Sequence, residues 1–172
     1  MKSSVRLAVL LVCLIAVFLP ISHCSVPNDF KLVEETCKKT HHYDLCRFAL
    51  SGVPERAHAD VKGLALIMAD VVLGQARNTA VNKIQVLRKS NPGDKRFDDC
   101  LLHYTAIEFD IAHFDEHFRN HDFTSAEATM EDAFSQAGNC ELLFDRPKSS
   151  PLHEYNILVT HLAELAGSIV LM

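Results

Sequence analysis

Between Asp94 and Arg119 the apolar and half-apolar residues fall at Phe97, Cys100, Tyr104, Ile107, Ile111, Phe114 and Phe118. The spacings alternate three and four, which keeps one stripe of an α-helix facing one way; a strand would need alternation by two. At 1.5 Å per residue this helix is roughly 39 Å long, a full wall of a helical bundle. Asp60 to Arg88 repeats the pattern with Val61, Leu64, Ile67/Met68, Val71, Ala76, Ala80, Ile84 and Leu87, and Asp60 as N-cap. Gly63 and Gly74 each weaken that helix by about 1 kcal/mol relative to Ala. Phe123 to Phe144 carries Ala126, Met130, Ala133, Ala137, Cys140 and Phe144. Leu152 to Met172 carries Leu152, Tyr155, Val159, Leu162, Leu165, Ile169 and Met172. Ser90-Asn91-Pro92-Gly93, Asn120-His121-Asp122 and the stretch Asp145 to Pro151 supply the turns, and Asp122 or Thr124 caps the helix that follows the second. Four amphipathic helices with short connections predict an all-α chain, an up-down-up-down four-helix bundle over about residues 58–172.

Ahead of the bundle, Leu32 to Lys39 and Tyr43 to Leu50 read as two short helices about the Thr40-His41-His42 turn, a hairpin over about residues 28–52. Helices this short are marginal alone. Before them, residues 1–24 have the form of a secretory signal peptide. Lys2 and Arg6 make a positive start, Leu7 to Leu19 is an unbroken apolar run, and Ser22 and Cys24 are small residues before cleavage at Ser25. Cleavage would leave residues 25–172, 148 in all, as one domain, and would reduce six cysteines to Cys37, Cys46, Cys100 and Cys140. An even number in an oxidising compartment predicts two disulfides, with three connectivities by arithmetic. Proximity across the turn makes Cys37–Cys46 the natural pair, which assigns Cys100 to Cys140 and ties two bundle helices together.

Charge narrows the partners. The 17 basic residues lose Lys2 and Arg6 with the signal, leaving 15 against 22 acids, a net charge of −7. Nucleic acid and anionic membrane surfaces are disfavoured at that balance. No Asn-x-Ser/Thr acceptor for N-glycosylation is present. Nine of the ten histidines remain, so the mature chain moves from acidic toward neutral as the pH falls to about 5.

Little in the chain suggests catalysis. His113-Phe114-Asp115-Glu116-His117 matches H-x-x-E-H, in which two histidines on one helix face reach a zinc and Glu116 acts as general base. That remote alternative, a zinc peptidase, needs a third ligand from Glu154, Glu164 or Asp145, and the pattern does not nominate one. Asp110-Ile111-Ala112-His113 has a metal-ligating spacing without the second copy a bundle site needs. No phosphate loop, nucleophile elbow or Cys/His pair appears, so the chain reads as a binder with no cofactor.

The residues Leu32-Val33-Glu34-Glu35-Thr36-Cys37-Lys38-Lys39-Thr40, Tyr43-Asp44-Leu45-Cys46, Gly63-Leu64-Ala65-Leu66-Ile67-Met68, Leu87-Arg88-Lys89-Ser90-Asn91-Pro92, Cys100 and Ala137-Gly138-Asn139-Cys140 resemble the plant inhibitors of invertase and pectin methylesterase. The resemblance spans the mature chain. It implies a helical hairpin on a four-helix bundle, disulfides in sequential order, export to the cell wall or vacuole, and stoichiometric blocking of an enzyme's active-site cleft. The implied target is an acid invertase, with pectin methylesterase as the alternative. Members resembling invertase inhibitors can carry Pro-Lys-Phe after the second bundle helix; here His121, Asp122, Phe123, Thr124 and Ser125 occupy that place and are the implied target-binding residues. Pro147-Lys148-Ser149 lies in a different loop. His113, His117 and His121 are the candidates for tuning binding with pH.

Overall fold

The computed structural model describes residues 28–53, 59–144 and 150–172. Residues 1–24, expected to be a signal peptide, the Pro147-Lys148-Ser149 segment and Asp145 lie outside the described residues. The elements in chain order are α1 (Asn28–Cys37), α2 (Tyr43–Ser51), α3 (Val61–Thr79), a π-helical turn (Ala80–Ile84), α4 (Gln85–Ser90), α5 (Arg96–Arg119), α6 (Phe123–Leu142) and α7 (His153–Val170). No strand occurs among the described residues.

Helix α5 packs on α6, α6 on α7, α7 on α3 and α3 on α5, which closes a four-membered ring. Contacts at matching ends make each pair antiparallel. Cys100 near the start of α5 is bonded to Cys140 near the end of α6. His153 at the head of α7 meets Glu141 at the foot of α6. Lys62 at the head of α3 donates to the Val170 carbonyl at the foot of α7. Arg77 and Arg88 pair with Glu108 and Asp98 along α5. The second disulfide, Cys37–Cys46, closes the α1–α2 hairpin, which rests on α3 and α7.

Phe97, Cys100, Tyr104, Ile107, Ile111 and Phe114 are buried, and Phe118 is half-buried at the end of the stripe. The α6 stripe from Ala126 to Phe144 is buried throughout. In α7 the expected stripe is too narrow: Ala163, Ala166, Gly167 and Val170 are buried as well, because α3, α6 and the hairpin all pack on it. Met172 falls outside the core, 39% exposed, since the helix stops at Val170.

Helix α3 departs further from its sequence pattern. The buried line is Leu64, Met68, Val72 and Ala76, while Ile67 and Val71 are half-covered. A ridge of i, i+4 positions faces the bundle. One turn later the helix widens, and the Gln85 N–H donates to the Ala80 carbonyl, five residues back. Thr79 and Ile84, also five apart, are both fully buried. The Thr79 hydroxyl bonds the Gln75 carbonyl at 2.9 Å, a local competitor for the backbone ladder. At the head of α3 the Asp60 carboxylate accepts from the Gly63 N–H at 2.7 Å. A Cβ on Gly63 would lie 3.0 Å from Ala59 Cβ and 3.3 Å from Asp60 Oδ1, so the glycine makes room for the cap.

Polar groups thread the disulfide end of the core. The Tyr104 hydroxyl donates to Asn156 Oδ1, and Asn156 Nδ2 donates to Glu141 Oε2, both at 2.8 Å. His153 Nδ1 lies 2.8 Å from Glu141 Oε1. Burial pushes the Tyr104 hydroxyl well above its ordinary range, so it stays a donor. This chain fixes α5, α6 and α7 in register, because each buried polar atom loses its partner if one helix slides.

Candidate functional site

The corner between α5 and α6 brings the five implied target-binding residues together. At His121 the backbone is left-handed, with φ at 57°, a conformation histidine tolerates better than branched residues. The Asp122 N–H donates back to the His117 carbonyl at 2.9 Å. Its carboxylate accepts from the Ser125 N–H at 3.1 Å and so caps α6. Hydrogen bonding from the Ser125 side chain, then from its backbone, holds the Asp122 carboxyl below its usual range. His117 Nδ1 stands 3.7 Å from the other carboxylate oxygen.

Phe123 faces the bundle. Its ring meets Phe118 edge-on at 5.4 Å and His121 at 5.9 Å, and Lys62 Nζ sits 4.0 Å over its face. The same ammonium reaches the Val170 carbonyl. One side chain therefore closes the end of the bundle over Phe123 and caps α7. The residues left facing outward are His121, Asp122 and Thr124, with Ser125 half-buried behind them. Below the corner an open groove of about 640 Å³ runs between α6 and α7, with Met130, Phe134 and Leu171 on its walls and Glu127, Glu131 and Glu164 on its rim.

His113 and Glu116 are exposed and His117 half-exposed on the outer side of α5. Among the described residues no group of three or more His, Cys, Asp or Glu could hold a metal ion. Glu154 stands in the first turn of α7, at the opposite end of the bundle, and Glu164 is engaged by two other histidines. The three zinc candidates therefore remain a run along one helix. Next to them, Asp110 on α5 is half-buried with its Oδ2 unpartnered. Burial, then the Asp132 carboxylate of α6, push it up to about 6, while His113 pulls the other way.

A second histidine cluster escaped the sequence reading. The His42 ring stacks on His161 of α7, centroids 3.9 Å apart and planes 24° from parallel. Glu164 places one oxygen 3.1 Å from His42 Nε2 and the other 3.2 Å from His41 Nδ1. The i, i+3 pair His161/Glu164 and the His41-His42 turn are visible in sequence, but nothing in it says that they meet.

Comparison with known proteins follows the same lines. The family described as plant invertase/pectin methylesterase inhibitor matches residues 31–169. A pectinesterase inhibitor of Actinidia deliciosa is 28% identical over 145 residues, covering 82% of this chain and 78% of its own. The cell wall/vacuolar inhibitor of fructosidase 1 of Arabidopsis thaliana is 38% identical over 81 residues, 46% of this chain and 39% of the relative. The crystal structure of mutant form A of a pectin methylesterase inhibitor from Arabidopsis matches with a TM-score of 0.65 at 20% identity, over 79% of this chain and 93% of that one. These relatives are inhibitors, and the last is a likeness of fold.

Proposed function

This chain belongs to the plant invertase/pectin methylesterase inhibitor family, and we propose that it is a secreted inhibitor that occludes the active-site cleft of a plant acid invertase in the cell wall or vacuole. The observation that carries the reading is the corner at His121 to Ser125. Its outward side chains sit on a mount held by the Asp122 cap, the Phe118–Phe123 contact and Lys62. A tip ordered before binding loses little conformational entropy on entering a cleft, which favours tight stoichiometric complexes. Among the described residues no helix is long and apolar enough to cross a membrane. His113, His117 and His121 lie on or near this end, so the affinity changes between about pH 5 and 7 if they face the target.

Pectin methylesterase is the second reading, favoured by the 28% identity to a pectinesterase inhibitor along most of the chain. Titrating the mature protein against both enzymes at about pH 5 decides between them. One enzyme losing activity in proportion to added protein is the expected result; no loss in either removes the proposal. Thr124→Arg, at an exposed position that caps nothing, should weaken inhibition at least tenfold at unchanged stability. Full inhibition by that variant would move the contact away from the corner.

A further inference from the structure

We propose that the α1–α2 hairpin is held on α7 in part by a proton-releasable latch, the His42 ring stacked on His161, and that charging both rings on acidification loosens the hairpin from α7. The hairpin's other hold is apolar, through buried Val33, Cys37, Cys46 and Leu50, and is indifferent to protons. The latch is not. Two neutral imidazoles, or one neutral and one charged, stack favourably, whereas two imidazolium rings 3.9 Å apart repel.

The charges around the stack come from several elements. His41 and His42 reach in from the turn to Glu164, one turn along α7; protonation of either imidazole strengthens its contact with that carboxylate, so these two contacts oppose the release. On the α6 side Glu164 shares the groove rim with Glu127 and Glu131. On the α3 side Lys62 is committed to Val170 and Arg77 to Glu108. Within the hairpin, Glu34 is taken up by Tyr43, Lys38 and Arg47. The balance at the His161 ring opposes its charge: burial first and His42 second hold its pKa below the ordinary value, against the pull of Glu164.

At the His161 ring the docked hairpin therefore binds fewer protons than the opened one, and that ring favours opening as the pH falls below about 6.5. For one such ring the opening constant rises at most tenfold per pH unit, or at most about 25-fold from pH 7 to pH 5. Hairpin release is then graded by acidity while the bundle, with its own disulfide, stays closed.

Amide hydrogen exchange on the mature protein, corrected for the intrinsic pH dependence of exchange, reads this out. Protection in α2 should fall by up to about 25-fold between pH 7 and 5 relative to α5 and α6. His161→Phe keeps a stacking ring that does not titrate, and in it the α2 protection should no longer fall with acid, since the remaining His41 and His42 contacts to Glu164 only strengthen on protonation. Equal α2 protection at both pH values in the wild type, or the same fall in His161→Phe, overturns the latch. Should that variant fail to fold, ring titration by NMR in the wild type decides: a His161 midpoint below about 6.5 supports the latch and one above it overturns the latch.

Discussion

Replacing both Cys100 and Cys140 by Ala tests how the bundle is held. Both residues are fully buried, and the bridge joins the head of α5 to the tail of α6 with a sequence separation of 40. The other ends of these helices are joined by the short corner at Asn120 to Asp122, so the bridge turns an antiparallel pair into a closed loop. Loop-closure entropy gives it about 3.9 kcal/mol at 25 °C, against about 2.7 kcal/mol for the Cys37–Cys46 bridge, whose sequence separation is 9. For a chain of this length about 3.9 kcal/mol corresponds to roughly 8–16 °C in Tm. The hairpin is peripheral, so its own double Ala variant should open α1–α2 locally and move the global transition less. Urea unfolding followed by far-ultraviolet circular dichroism compares the two variants with the wild type. A Cys100/Cys140 variant within about 1 kcal/mol of wild type, or a hairpin variant that loses more, would refute the assignment of the long bridge as the main covalent brace.

Two further outcomes follow from buried polar groups. Tyr104→Phe leaves Asn156 Oδ1 without its donor and should cost about 1–3 kcal/mol in denaturant unfolding; a neutral result would mean the network sets no register. Asp110→Asn removes a carboxylate whose folded pKa is raised to about 6. The folded state resists losing that proton, so the wild type carries a penalty in full above about pH 6 that fades as the pH falls toward 4. A shift of this size corresponds to about 3 kcal/mol undiscounted, and solvent screening of a half-exposed group reduces it to about 1 kcal/mol. The variant should therefore be more stable than wild type at pH 7.5 and equal to it at pH 4; equal effects at both would sink the explanation.

The α5 stripe was legible because seven residues from Phe97 to Phe118 recur at spacings of three and four, a phase that the apolar neighbours Leu102 and Phe109, both exposed, do not extend. In α3 the neighbouring pairs Ile67/Met68 and Val71/Val72 leave the phase ambiguous, and tertiary packing chose Met68 and Val72. The π turn at Ala80 leaves no mark in composition, since its distinguishing feature is a hydrogen bond to the fifth residue back. The corner could be read as a polar stop with an Asp cap, but the inward turn of Phe123 depends on Lys62 and Phe118 arriving from other parts of the chain. The His42–Glu164 contact spans 122 residues, beyond the reach of any local pattern.

The left-handed backbone at position 121 limits which side chains that tip can carry. Glycine or asparagine would sit there with less strain than histidine, whereas valine or isoleucine would cost about 1–2 kcal/mol. Thr124, exposed on an ordinary helical turn, accepts almost any residue at little cost to the fold. Chemical variety at this end of the molecule is therefore cheap at one position and rationed at the other.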